Sequence, residues 1–254
     1  MHQGNWPSNQ PDPNALESAE SIGRRAGIRA TAGIDARKLS SHKVAVLFES
    51  TLAVGLLNAY VDATSGAALY RRASFLNDCL GSAVFADHVQ VDEDPYIPRA
   101  PGSAPFDIEG VQTVHRRVAE NGVANGYFLS SYSARKLGLR STGNAGGVHN
   151  LSLTSTRTGH GDDLSAMLRR LDTGLFVTEL MGQGVNPVTG GYSQGAAGFW
   201  VENGQIQYPV HEITVAGSLP EMFRSIVAVG NDTFVGGALI CGSLLVVTMT
   251  VAGD

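Results

Sequence analysis

Thr178-Glu-Leu-Met-Gly-Gln-Gly-Val-Asn-Pro-Val-Thr-Gly-Gly-Tyr-Ser-Gln-Gly-Ala-Ala-Gly-Phe-Trp-Val-Glu-Asn-Gly-Gln-Ile-Gln-Tyr-Pro-Val210 joins a glycine-punctuated loop to a hairpin. Phe199-Trp200-Val201-Glu202 and Gln205-Ile206-Gln207-Tyr208 are strand-like. Asn203-Gly204 between them is the strongest short hairpin signal, because both residues tolerate positive φ. A two-residue turn there sets Glu202 opposite Gln205 and places Trp200 on the same sheet face as Glu202. Within the loop, Gly191-Tyr192-Ser193-Gln194-Gly195 spells G-x-S-x-G, the pattern of a serine-hydrolase elbow. That elbow needs a strand-to-helix turn above a parallel sheet. Here a hairpin strand follows, and His211 precedes Asp232, the reverse of the acid-then-histidine order. Glycines making a tight loop is the expected role of the motif.

Outward from this stretch, strands outnumber helices. Val44 to Phe48, Val84 to Val91, Leu175 to Leu180 and Glu212 to Ala216 read as strands. Val111 to Ala119 and Tyr127 to Ser130 read as a pair about Asn121-Gly122. Val235 to Val251 reads as two buried strands around Gly242-Ser243. Its uncharged length alone would span a membrane, but its glycines and β-branched residues favour strands over a leucine-rich helix. Ala15 to Leu39 reads as one helix with a weak point at Gly33. Thr51 caps a helix through Leu52, Leu56, Leu57 and Tyr60 that ends at Gly66. Ser133 to Leu139, Leu164 to Leu171 (capped by Asp162 or Asp163) and Pro220 to Ile226 are shorter helices. There is no βαβ alternation. The class is α+β, with a mostly antiparallel, curved or barrel-like sheet and a few packed helices.

The bulk properties exclude several functions. A net charge of −5 with scattered basic pairs disfavours nucleic acid. Thirty-one glycines in 254 residues point away from a helical bundle. Cys79 and Cys241 form neither a zinc spacing nor a disulfide framework, and no secretory leader opens the chain, so a cytoplasmic protein is expected. Residues 1–14 are polar and proline-rich and read as a disordered leader. His211-Glu212 lacks the second histidine of a zincin helix. His160-Gly161-Asp162-Asp163 reads as helix capping. Ser141 to Gly147 could cradle an anion with backbone N–H groups, but lacks the lysine of a P-loop. Arg135 and Lys136 could bind a carboxylate. Cys241 sits in an apolar run as a small buried thiol.

Three segments carry a resemblance. Leu129-Ser-Ser-Tyr-Ser-Ala-Arg-Lys-Leu-Gly-Leu-Arg-Ser-Thr-Gly-Asn-Ala-Gly-Gly147, Thr178 to Val210 and Ser225-Ile-Val-Ala-Val-Gly-Asn-Asp232 are very similar to the TldD/PmbA family, on its PmbA (TldE) side. The similarity covers Leu16 to Gly253. It implies a division into the leader, a helical connector over 15–40, and the C-terminal domain of that family over 41–254, an N-terminal half being absent. Members are implicated in metal-dependent proteolysis and described as modulators of DNA gyrase. In the TldD type an H-E-x-x-x-H helix from the other half and a C-terminal cysteine hold the metal, and Cys241 falls at that cysteine's position. The PmbA type lacks the histidine pair. The resemblance therefore implies a chain with no catalytic residue and no complete metal site of its own. Zinc would belong to a TldD-type partner subunit. The peptide substrate would lie near Gly182, Gln183, Gly184, Gly195 and Ala196. Gly191 and Gln194 stand where the family usually has Asp and Arg. A chain lacking half of the fold is expected to be an oligomer, with no membrane contact. The alternatives are a stand-alone serine hydrolase using Ser193, or an inactive truncated domain.

Overall fold

The computed structural model describes Trp6 and residues 13–253. Most of the expected leader therefore lies outside the described residues. In chain order come α1 (Ala19–Ala32), β1 (His42–Phe48), α2 (Ser50–Ala63), α3 (Gly66–Tyr70), β2 (Val89–Glu93), β3 (Arg116–Glu120), β4 (Val123–Ala124) and α4 (Ser131–Leu137). Then follow β5 (Leu151–Ser155), α5 (Leu164–Leu171), β6 (Gly174–Met181), β7 (Gly191–Glu202), β8 (Gln205–Ser218), α6 (Leu219–Arg224), β9 (Ile226–Val229), β10 (Phe234–Gly236), β11 (Leu239–Cys241) and β12 (Leu244–Ala252).

The hairpin forms as its residues dictate. Asn203 and Gly204 take φ of 53° and 70°, Glu202 pairs with Gln205, and Trp200 Nε1 donates to Glu202 across one strand face at 2.8 Å. This hairpin belongs to a closed barrel. β1, β6, β7, β8 and β12 pair in that order, and β12 pairs again with β1, from His42–Val251 to Phe48–Leu244. Only β1–β6 is parallel. Beside the barrel stands a second sheet, ordered β10-β11-β5-β2-β3-β4. The class is α+β, mostly antiparallel, with a barrel at its centre.

Helix α2 joins the two sheets, packing on β6 from one side and on β10 and β11 from the other. Leu56, Leu57 and Tyr60 recur at helical spacing and are buried in one continuous core with Val46, Phe48, Leu175, Val177 and Leu153. A smaller cluster lies between α5 and the barrel's outer wall: Leu47, Met167, Leu171, Phe176 and Val201.

Several expected boundaries move. The Gly191–Gly198 stretch is strand β7, not loop, since small residues let its main chain lie against both β6 and β8. At Gly198 an added Cβ would sit 2.0 Å from Phe176 O. Residues 84–88 stay outside β2: the N–H groups of Val84 and Phe85 donate to Gly122 O, and Ala86 N–H donates to Phe223 O. Asn121-Gly122 does turn a hairpin, but the returning strand is Val123–Ala124. Tyr127–Ser130 instead bonds the α2–α3 connection, through Phe128 N–H to Thr64 O and Gly66 N–H to Phe128 O. Gly66 opens α3 behind its Ser65 cap, and Thr51 lies inside α2, whose N-cap is Glu49. The first helix stops at Ala32, beyond which Arg37 bridges to Val210. β11 and β12 are not a hairpin around Gly242-Ser243, because they enter different sheets.

Two barrel residues take positive φ, Glu212 in β8 and Thr248 in β12, and the second sits where the barrel closes. β12 pairs with β9 through Leu244–Val246 and with β8 through Thr250–Ala252. Between these pairings the register against β1 shifts, and Thr248 takes φ of 65°. A β-branched residue in that region is held against its preference, at a cost of about 1–3 kcal/mol. Its side chain is exposed, so little contact is lost on removal. Thr248→Gly is expected to raise stability by about 1 kcal/mol once glycine's own entropy is counted. Tyr60→Phe is expected to be neutral or stabilising by up to about 1 kcal/mol, because the buried Tyr60 hydroxyl has no partner. Urea unfolding checks both.

Candidate functional site

Cys241 is fully enclosed on β11, paired with Phe234 on one side and Leu153 on the other. Burial, with a smaller push from the Asp232 carboxylate, raises the thiol far above its ordinary range. Between those neighbours the thiol packs as a small apolar group. His88 spends its ring nitrogens on Ser155 Oγ and Ile226 O, and His149 on Gly102 O and Gly143 O. Among the described residues, no three His, Cys, Asp or Glu side chains converge as a ligand set. The residues present do not fit a zinc ion, which needs about three or four convergent ligands.

The glycine-rich loop 141–147 is wrapped around the chain's own carboxylates. Asp107 accepts the N–H groups of Glu109, Val111 and Ala145 at 2.9 Å each. Glu93, 1% exposed, accepts from Arg116 Nε at 2.7 Å, Asn144 Nδ2 at 2.7 Å and His149 N–H at 2.8 Å. Arg116 also donates to Tyr127 O and Asn144 Oδ1 and lies over the Phe128 ring. Of the backbone N–H groups that suggested an anion cradle, Ala145's serves Asp107, while those of Thr142, Gly143, Asn144 and Gly147 go to neutral oxygens of Leu129, Ser141 and Asn144. Arg135 and Lys136 fall in the last turn of α4, ahead of the left-handed Gly138 cap, where cations suit the helix dipole. Asp163, not Asp162, caps α5, while Asp162 binds Arg170 at 2.6 Å.

Ser193 is exposed on β7, its N–H donating to Gly184 O. It pairs with Ala216, five residues along β8 from His211. At the strand rise that is about 16 Å, too far for a base to reach the hydroxyl. The expected loop position of Ser193 is corrected, and the His211-Glu212 pair lies on β8, a strand.

The proposed peptide neighbours divide into two groups. Gly182, Gln183 and Gly184 follow β6 and fold back over the start of β7. Gly195 and Ala196 lie within β7, flanked on both edges by β6 and β8, and the Ala196 side chain is buried. Strand addition at Gly195 or Ala196 is therefore blocked. An open edge does exist nearby. β1 pairs with β6 only as far as Phe48–Val177. Glu49 N–H then takes Val177 O, and Arg29 Nη2 takes Thr178 O at 3.0 Å. Past Thr178, among the described residues, no strand lies on that side of β6.

Sequence reading missed what borders this edge. Arg29 on α1 makes a bidentate pair with Glu49, both contacts at 2.7 Å, with side chains 25% and 14% exposed. Trp6 lies under the Arg25 and Arg29 guanidinium groups, meets Phe234 edge-on and donates to Glu17. Between α1 and the barrel lies a cleft of about 420 Å³. The sequence reads this helix as carrying small and apolar residues on one face, whereas none of its residues is buried, and nothing local announces the Arg29–Glu49 pair.

The PmbA/TldA metallopeptidase C-terminal domain matches residues 41–253. The chain is 47% identical over 239 residues to metalloprotease PmbA of Escherichia coli O157:H7, covering 94% of this chain and 52% of that protein. A crystal structure from Thermotoga maritima, described as a modulator of a DNA gyrase, superposes with a TM-score of 0.86 at 35% identity, over 94% of this chain and 56% of that one. TldE from Thermococcus kodakarensis shares the fold, with a TM-score of 0.78 at 22% identity over 92% of this chain and 55% of that one. The chain spans about half the length of the relatives it matches. No described helix is long and apolar enough to cross a membrane.

Two outcomes test this geometry. Native chain is expected to leave Cys79 and Cys241 unlabelled by a thiol reagent, with both reacting on unfolding, since both are buried. For Asp107, burial raises the carboxyl, but the three N–H donors outweigh it and hold the group below the usual range. Its stabilisation is present above the ordinary value of about 3.9 and is lost as pH falls through the lower folded value. The stability gap between wild type and Asp107→Asn should therefore shrink from pH 5 toward pH 2 in urea titrations.

Proposed function

The chain belongs to the PmbA/TldD metallopeptidase family, and from that premise we propose that it is the non-catalytic, PmbA/TldE-type part of a cytoplasmic metal-dependent peptidase complex. It holds an unfolded peptide near a zinc ion supplied by a TldD-type subunit. The observation that carries the reading is the enclosure of Cys241: the one residue at a family ligand position is sealed between strands β10 and β5, with no further His, Cys, Asp or Glu set beside it among the described residues. A chain built this way contributes binding surface and leaves the attack on the peptide bond to its partner.

Peptide holding rests on main-chain chemistry. An unpaired strand edge offers alternating N–H and C=O groups to any extended sequence, so affinity does not depend on side chains. The open edge of β6 beyond Thr178 is such a surface, and Gly182, Gln183 and Gly184 continue from it without bulky side chains. Gly195 and Ala196 act from behind, as the small residues that let β7 back this edge. Ser193 takes no part, since its hydroxyl has no base within reach.

Metal analysis of the purified chain is expected to find far less than one zinc per chain. The chain alone should leave a denatured peptide intact, while addition of a TldD-type protein should give cleavage that a chelator abolishes. Sedimentation should find an oligomer. One zinc per chain, lost in Cys241→Ala, or chelator-sensitive cleavage by the chain alone, would overturn the reading.

A further inference from the structure

We infer that the cleft under α1 is a side-chain pocket for an extended peptide carrying a large apolar residue two positions from a lysine or arginine, on the same strand face; this rests on the peptide-holding reading above. Its volume, about 420 Å³, falls within the range of small-ligand sites. The walls are apolar, from Ile28 on α1 to Leu52, Leu180 and Phe199. Ile28 is 61% exposed, unusually open for a side chain that lines a cleft.

The charges select the neighbour of that apolar residue. Arg29 and Glu49 neutralise each other through their bidentate pair, and Arg29's remaining reach goes to Thr178 O. Glu179 also lines the cleft with His211, is exposed, and acts on Arg29 through its charge, with no hydrogen bond or close ion pair of its own among the described residues. The cleft thus holds two carboxylates against one guanidinium. A basic side chain two positions along the strand, on the same face as the buried apolar one, would meet Glu179, whereas an acidic one would be repelled. The geometry suits a strand: the open edge of β6 begins at the residue Arg29 caps, so an added peptide runs past the cleft and points alternate side chains toward it.

Fluorescence anisotropy tests this with the whole chain, alone and with a TldD-type protein present. The probes are fluorescein-labelled Gly-Phe-Ser-Lys-Ser-Gly (the Phe-Lys peptide), its Phe-Glu counterpart and its Gly-Lys counterpart, each keeping one serine between the two named residues. The Phe-Lys peptide should bind at least tenfold more tightly than either other probe. Ala32→Trp, which fills the cleft from an exposed helix position, should weaken it at least tenfold. Glu179→Lys should reverse the preference toward the Phe-Glu peptide. Thermal unfolding by circular dichroism shows that each variant is folded, and Glu179→Lys carries the test if Ala32→Trp is not. Binding with equal affinity for all three probes, or unchanged by these substitutions, leaves peptide holding in place and overturns the cleft. Absence of binding by every probe, with and without the partner, overturns both.

Discussion

The ladder between β1 and β12 is the constraint on which the rest of the structure depends. It joins residues 42–48 to 244–252, almost the full separation the domain allows. Until it forms, β6 to β8 are an open meander with two raw edges, and an open edge is a site for uncontrolled pairing. Closure removes both. It also fixes where β1 ends, and therefore where α2 begins and where β6 is left without a neighbour. The exposed edge beyond Thr178 is a consequence of barrel geometry: β6 runs on to Met181, while its pairing with β1 ends at Val177. The positive φ of Thr248 is the local cost of the same closure, since β12 must leave β9 and reach β8 within a few residues.

What the sequence revealed follows from range. The Asn203-Gly204 hairpin and the start of α5, capped by the second of the two aspartates offered, are decided by residues within four or five positions, and both are where their chemistry puts them. The class, mostly antiparallel with a few helices, follows from their sum. Misplaced elements are those whose backbone partners lie far away. Val84–His88 alternates like a strand, yet its donors go to Gly122 and Phe223, which no local pattern announces. Gly191–Gly198 looks like a loop because strand propensity disfavours glycine. The barrel instead needs small residues there, where β6 and β7 approach too closely for a Cβ at Gly198.

The candidate site was legible in part for the same reason. Cys241 was recognised as a buried thiol from its apolar neighbours alone, and Ser193 was rejected on chain order and on the hairpin that follows it. The glycine loop 141–147 shows the limit of motif reading. Backbone N–H groups in a turn attract an anion, and the motif says nothing about which one. Here one loop N–H, from Ala145, meets the distant Asp107, the Asn144 side chain meets Glu93, and the other N–H groups bond neutral oxygens, so the result is a locked loop instead of a ligand cradle. Arg116 completes the set, because a carboxylate as enclosed as Glu93 needs an opposite charge with directed hydrogen bonds.

Helix α1 is governed by the opposite balance. None of its residues is buried. A helix with no apolar face toward the core gains little from packing, and fourteen residues are marginal alone in water. What positions it is a short set of charged and aromatic contacts: Arg29 with Glu49 and Thr178, and Trp6 against Arg25 and Phe234. Such contacts fix orientation without filling the space between helix and barrel, and the cleft is that unfilled space. An apolar stripe on α1 would have sealed it and covered the β6 edge as well. The polar attachment therefore keeps open a surface that hydrophobic packing, left to itself, would have closed.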